Sequence, residues 1–190
     1  PDGSIFVSRG ILALASSEEE LANVLAHEIT HVTQRHAIGR MAVADTANPF
    51  FIGFARAAYL ASFSRDQERD ADRGGQALAA AAGYDPGAMA AFLRKLEYVE
   101  RIQLGASRLP TFFDTHPATA ERAGSTFDRG EKIPFTPKPG IVGDAEAYAQ
   151  KLDGLPIGDD PAQGIFRGSR FVHPDLDFAV TFPDGWTLVN

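Results

Sequence analysis

Three residues in the stretch "NVLAHEITHVTQRHA" have the types and spacing needed for metal-assisted hydrolysis. His27 and His31 are four residues apart, so on a helix their imidazoles project from one face and can bind one metal ion. Glu28 can lie beside that ion without binding it, where a carboxylate takes a proton from metal-bound water. A chance match is the alternative, because His-Glu-x-x-His is expected in about 1% of chains of this length.

A pair of acidic residues farther along the chain could complete the site. A catalytic zinc usually has three protein ligands, so a third is needed. Glu68 and Asp72 are also four residues apart and share one helix face. Glu68 could bind the metal, and Asp72 could accept a hydrogen bond from the other ring nitrogen of His27 or His31. The alternative is a solvated charged face, because other charged residues surround the pair: Arg65, Asp66, Arg69, Asp70 and Arg73.

Together these motifs resemble the M48 zinc metallopeptidases. The resemblance rests on "HEITH", "SRDQERDAD", "AGYDP" and "THPATAER", which follow one another in the family's order within residues 3–122. It implies that His27, His31 and Glu68 bind one Zn²⁺ ion. It also implies that Glu28 is the general base and acid.

The resemblance further implies residues that support the site. Asp72 matches the aspartate of the family's Glu-x-x-x-Asp motif, which supports the zinc ligands. "THPATAER" resembles the His-Pro-x-x-x-x-Arg motif and places His116 and Arg122 near the metal. In some members this histidine is a reversible fourth ligand that restrains activity. Arg122 or another side chain could stabilise the oxyanion. "IFVSRG" resembles the family's edge strand, whose backbone could bind an extended substrate at Ile5, Phe6 and Val7.

Helix caps and hydrophobic spacing predict the elements that hold the metal-binding residues. The first helix is expected over residues 18–37, with Ser17 and Glu20 as a capping box. The second is expected over about residues 51–82, with a break near 62–64. Each of these helices would carry one of the two pairs of site residues.

Two further helices and one strand are predicted around this pair. Asp85 can cap a third helix with Pro86 at its first position, and Thr115 can cap a fourth that begins at Pro117. The β-branched and aromatic run at residues 3–10 predicts a strand.

The fold class predicted from these elements is α+β and mainly α-helical. We expect a zincin-like peptidase core with a small edge β-sheet over residues 1–130, truncated at its N-terminus. Residues 131–190 are expected to form a linker and a small C-terminal α/β extension that is incomplete. The linker is rich in Pro and Gly over residues 129–143, and strand-like runs with turn residues between them follow residue 163.

Composition excludes several classes of function. The chain has no cysteine, which excludes disulfides, thiolate nucleophiles and cysteine-bound metal sites. Its net charge is −7 and it contains no run of Lys or Arg, so nucleic acid is not an expected partner. The longest apolar stretch, Pro49–Phe63, contains Arg56 and is shorter than the roughly 20 residues that a membrane span requires.

Three features stay outside the metal hypothesis. His36 lies off the metal-binding face by spacing and is expected at the surface or at the helix end. The cluster of Phe50, Phe51 and Phe54 is expected in the core, with a lid, a substrate pocket or a membrane-facing patch as alternatives. His173 has no metal-spaced partner and is expected to be structural.

The sequence therefore predicts a zinc-dependent endopeptidase that acts on polypeptides. The alternative is a latent or chaperone-like binding module with a closed, mainly structural zinc site. By resemblance we expect a periplasmic or envelope-associated protein of a Gram-negative bacterium that acts on misfolded envelope proteins. Membrane association or outer-membrane partners are further expectations.

Overall fold

The computed structural model describes residues 4–36, 64–103, 116, 119–156, 161–183 and 185–186. Helices dominate these residues, and one small antiparallel sheet follows them, so the α+β, mainly helical fold class is confirmed. The helices are α1 Arg9–Leu14, α2 Glu18–Thr33, α3 Arg65–Ala81, α4 Ala88–Gln103, α5 Ala120–Gly130 and α6 Ala145–Lys151.

Helix α2 begins where predicted but ends earlier. Ser17 Oγ accepts a hydrogen bond from the Glu20 amide at 3.2 Å, as the capping box requires. The Glu20 carboxylate accepts from the Ser16 amide at 2.9 Å instead of from Ser17, so the box is only half formed. The helix stops at Thr33 because Arg35 adopts a left-handed backbone with φ 55°.

Helix α3 begins at the predicted break. Ser64 and Gln67 form a complete capping box, in which each side chain accepts a hydrogen bond from the other residue's amide at 3.0–3.2 Å. The helix therefore starts at Arg65, and residues 51–63 of the predicted element lie outside the described part of the chain.

Helices α4 and α5 start later than predicted. Asp85 Oδ1 accepts from the Gly87 amide at 2.7 Å and closes a turn, so regular helix begins at Ala88 rather than at Pro86. Helix α5 is capped by Thr119, which accepts from the Arg122 amide at 3.2 Å. The predicted start at Pro117 is therefore wrong, and Thr115, the predicted cap, lies outside the described residues.

The strand predicted over residues 3–10 is wrong as far as the structure describes it. Residues 4–8 have no regular secondary structure, and Arg9 to Leu14 form α1, whose N-cap Ser8 accepts from the Ile11 amide at 3.2 Å. A run of β-forming residues becomes a strand only when a neighbour completes its hydrogen-bond ladder. The described residues provide no such neighbour here.

One hydrophobic cluster ties the helices together. Helix α2 packs on α3 and on α4, and α4 packs on α5. Helices α2 and α3 approach so closely that a Cβ on Gly75 would lie 2.9 Å from the backbone nitrogen of His27. The buried members of the cluster are Ile11, Ala15, Val24, Met89, Phe92, Leu93, Leu96, Ala123 and Tyr148.

The chain beyond α5 returns to this cluster before it forms the sheet. The Glu18 amide donates to the Val142 carbonyl at 3.0 Å, and the Tyr148 hydroxyl donates to the Leu12 carbonyl at 3.1 Å. A three-residue 3₁₀ turn and three antiparallel strands follow: β1 Ile165–Arg167, β2 Arg170–His173 and β3 Phe178–Thr181, in the order β1-β2-β3. No helix within the described residues has the length and hydropathy needed to cross a membrane.

Candidate metal centre

Four buried side chains from separate parts of the sequence converge at one point. His27 and His31 project from one face of α2, and Glu68 reaches them from the first turns of α3. His116, which precedes α5, completes the group. One ligand atom from each residue lies within 4.8 Å of the other three, so the group could hold a metal ion.

Four separations within this four-residue group, which we call the donor cluster, lie within about 0.3 Å of those expected around a tetrahedral zinc ion. Zinc–ligand distances of 2.0–2.2 Å place the corners of a tetrahedron about 3.3–3.6 Å apart. His27 Nε2 lies 3.0 Å from His31 Nε2 and 3.4 Å from His116 Nδ1. Glu68 Oε1 lies 3.3 Å from His31 Nε2 and 3.1 Å from His116 Nδ1. Three imidazole nitrogens and a carboxylate oxygen are ligands that zinc accepts.

Asp72 and Arg122 support the cluster from behind. Asp72 Oδ1 lies 3.1 Å from Nδ1 of His27, the ring nitrogen that points away from the cluster. Arg122 donates to both oxygens of Asp72, from Nε at 2.8 Å and from NH2 at 2.6 Å. Its third nitrogen, NH1, lies 2.7 Å from Glu68 Oε2. One buried guanidinium therefore holds both acidic residues of α3 in place.

Burial and the acidic neighbours shift the pKa values of the cluster residues in different directions. Burial lowers the pKa of His27, but the adjacent Asp72 and Glu68 outweigh it and raise the pKa to about 9. Burial lowers the pKa of His31 to about 4 against the opposing effect of Glu68. Burial raises the pKa of Glu68, but hydrogen bonds from the three histidines outweigh it and keep this pKa far below its ordinary value.

Glu28 lies beside the donor cluster and is not part of it. Its Oε1 atom is buried and has no hydrogen-bond partner among the described residues. It lies 3.6 Å from Nε2 of His116, which belongs to the cluster. A carboxylate in this position can receive a proton from a water molecule bound between it and the metal.

A cavity opens next to Glu28. It has a volume of about 320 Å³, and its lining is mostly apolar: Phe6, Val7, Ser8, Ile11, Val24, Glu28 and His116. Of the three residues predicted to bind substrate, Phe6 and Val7 line this cavity, whereas Ile5 does not. The segment predicted as an edge strand therefore lies at the site, although it is not a strand there.

The structure brings together every predicted metal-site residue and adds one that sequence spacing missed. His36 is buried just beyond the end of α2, and its Nδ1 lies 3.0 Å from Nδ1 of His31. Of the two positions expected for it, the surface is therefore wrong and the helix end is confirmed. His173 accepts a hydrogen bond from the Leu176 amide at 3.3 Å in the turn after β2, as a structural residue would. Phe50, Phe51 and Phe54 lie outside the described residues.

Comparison with known proteins identifies the family. The family model described as peptidase family M48 matches residues 1–126, which is most of the chain up to the end of α5. The chain belongs to peptidase family M48. Family M48 peptidases are metal dependent, and the donor cluster lies within the matched range.

Several relatives within peptidase family M48 have names that state a function. The beta-barrel assembly-enhancing protease of Escherichia coli K12 is 28% identical over 170 residues, or 77% of this chain and 34% of the relative. A counterpart from Vibrio cholerae is 31% identical over 156 residues, which cover 70% of this chain and 32% of the counterpart. Mitochondrial metalloendopeptidase OMA1 of Arabidopsis thaliana is 32% identical over 135 residues, which cover 65% of this chain and 27% of the relative. The chain spans about a third of the length of these relatives.

Proposed function

We propose that this chain is the catalytic part of a zinc-dependent metalloendopeptidase. The observation that carries the proposal is the donor cluster, in which His27, His31 and Glu68 lie at zinc-ligand spacing with the Glu28 carboxylate beside them. The metalloendopeptidase named among its relatives supports the reaction class. In this proposal the peptidase core spans residues 1–130, and residues 131–190 are a linker and an extension.

The roles of the protein groups follow from their positions. A bound zinc ion would supply Lewis-acid chemistry, which acidifies water and polarises a peptide carbonyl. Glu28 accepts a proton from the attacking water at its carboxylate and delivers it to the leaving amine. Arg122 binds Asp72 and Glu68 through its guanidinium, which favours a positioning role over contact with an oxyanion.

The same geometry supports a closed, latent state. Nδ1 of His116 lies 3.4 Å from His27 Nε2 and 3.1 Å from Glu68 Oε1, close enough to take the fourth corner of a zinc site, where water would otherwise bind. We infer that His116 must leave this corner before a substrate is cleaved. A permanently closed site would instead favour the second candidate, a chaperone-like module in which zinc is structural.

Polypeptides are the proposed substrates. The backbone groups of Ile5, Phe6 and Val7 make no backbone–backbone hydrogen bond within the described residues, so an extended peptide could pair with them. The cavity beside Glu28 could then receive one apolar side chain. The relatives named for β-barrel assembly support a periplasmic or envelope location and outer-membrane partners as part of this proposal.

The test is digestion of unfolded casein by wild type and by Glu28→Gln, with bound zinc measured in both proteins. The variant should keep its zinc, because Glu28 is not in the donor cluster, and should lose cleavage by about 100-fold or more, because it removes the general base. Equal cleavage by both proteins would refute the role of Glu28. A wild type that binds zinc but stays inactive in every form, including His116→Ala, would favour the structural alternative.

A further inference from the structure

The orientation of His31 requires an acceptor behind it. Nε2 of His31 faces the donor cluster, 3.0 Å from His27 Nε2 and 3.3 Å from Glu68 Oε1. An imidazole that offers the Nε2 lone pair to a metal while neutral carries its hydrogen on Nδ1. This N–H is buried with the ring, and leaving it without a hydrogen-bond acceptor would lower the stability of the folded protein.

His36 supplies that acceptor. Its Nδ1 lies 3.0 Å from Nδ1 of His31, and both side chains are buried. With a metal on Nε2 of His31, its Nδ1 donates, so His36 accepts at Nδ1 and carries its own hydrogen on Nε2. The two rings meet edge to face, with centroids 4.9 Å apart and planes at 79°. Nδ1 of His36 therefore points at the back of a metal-binding histidine and not into the donor cluster.

Breaking helix α2 brings His36 to this position. On an uninterrupted helix, a residue five places after His31 would point about 140° away from it. The left-handed backbone of Arg35, with φ 55°, ends the helix and turns the chain back. Gln67 then holds the turn, because its Nε2 donates to the carbonyl of His36 at 3.3 Å. A non-glycine residue with positive φ carries strain, and strain of this kind is concentrated at functional sites.

His27 is oriented in the same way, with Nε2 toward the cluster and Nδ1 toward an outer partner, but its partner is Asp72. Nδ1 of His27 lies 3.1 Å from Asp72 Oδ1, while its Nε2 faces the cluster. Such outer partners fix the tautomer and ring orientation of metal ligands. Asp72 matches a known motif, whereas nothing in sequence spacing singles out His36.

We propose that His36 is a positioning residue that fixes the tautomer and orientation of His31 for zinc binding. The inference rests on the proposed zinc site. It predicts an effect on zinc affinity itself, which can be measured without any substrate.

The experiment measures the zinc dissociation constant by competition with a chromophoric chelator. His36→Ala should weaken zinc binding by about 10- to 100-fold, the usual effect of losing an outer partner of a metal ligand. His36→Asn should stay close to wild type, because Oδ1 of asparagine occupies the place of histidine Nδ1. His36→Gln should bind zinc more weakly than His36→Asn, because its amide lies one bond farther from the backbone. His173→Ala, in the sheet, is the control and should leave the constant unchanged.

The outcomes separate this inference from the proposed function. Wild-type affinity in His36→Ala would overturn the positioning role and leave the zinc site intact. Equal affinities in the asparagine and glutamine variants would also overturn it, and this comparison stands even if the alanine variant does not fold. A wild type that binds no zinc would overturn the proposed function and the inference together.

Discussion

In the proposed mechanism, the position of His116 decides whether the site is open or closed. Its ring bridges the two functional parts, with Nδ1 in the donor cluster and Nε2 3.6 Å from Glu28 Oε1. A single rotation of this side chain could therefore free both the fourth metal position and the general base. The residue before Pro117 is also restricted to extended backbone, which limits the positions that His116 can take.

We expect His116→Ala to raise the rate of casein cleavage. Removing the ring frees the fourth corner for water, and a restraint of about 1 kcal/mol would correspond to about a five-fold gain. The measurement is the initial rate with saturating zinc. The double variant His116→Ala/Glu28→Gln is the control and should stay inactive, which assigns the gain to this site. Unchanged or lower activity of the single variant would count against the restraint.

At the scale of the elements, the site depends on how closely α2 and α3 approach. Gly75 faces the backbone of α2, where a Cβ would lie 2.9 Å from the nitrogen and 3.0 Å from the Cα of His27. Backbone atoms cannot move aside as a flexible side chain can. A methyl group at this position must therefore push the two helices apart, and Glu68 would move away from the histidines with its helix.

We expect Gly75→Ala to lower the free energy of unfolding by about 1–3 kcal/mol, the usual cost of overpacking, and to weaken zinc binding. Gly124→Ala is the matched control. It is also a helical glycine, but its Cβ would have no neighbour within 4 Å, so the change should stabilise the protein by about 0.5–1 kcal/mol. Denaturant unfolding and chelator competition measure both effects. Equal stabilities of the two variants would contradict this account of the helix pair.

The sequence predicts well the parts of the site that are set by helical periodicity. Spacing of four residues places His27 beside His31, and the break predicted near residues 62–64 agrees with Ser64 as the cap of the helix that carries Glu68. Prediction from the sequence fails where a non-local contact or a reversal of the backbone determines the position of a residue. His36 turns inward because Arg35 leaves the helical region, and no glycine marks that turn.

Two of the errors, the start of α5 and the strand over residues 3–10, have similar causes. Thr115 and Thr119 are both acceptable caps four residues apart, and local sequence does not choose between them. The run at residues 5–7 has strand-forming side chains, but a strand also needs a paired neighbour, which lies beyond local sequence. Fold class was predictable because it depends on the number and type of elements and not on their exact limits.

For the whole molecule, the donor cluster is where three segments of the chain meet. It joins α2, α3 and the residue before α5, and Arg122 of α5 reaches the acidic residues of α3 from the other side. Arg122 pairs with both Glu68 and Asp72, and these two carboxylates raise the pKa of His27 to about 9. A bound zinc ion would therefore stabilise the contact between helices that are distant in sequence.

Chelation should accordingly lower the stability of the entire chain and not only its activity. At a zinc concentration of 100 times Kd, binding to the folded state contributes about 2.7 kcal/mol. In a chain of this size that corresponds to a fall in Tm of about 5–10 °C when EDTA removes the metal. Differential scanning calorimetry with and without EDTA measures the shift. Glu28→Gln should show the same shift, since its ligands are intact, while Glu68→Gln should begin at a lower Tm and respond little. If the Tm of wild type were unchanged in EDTA, the proposal that a metal holds these helices together would be contradicted.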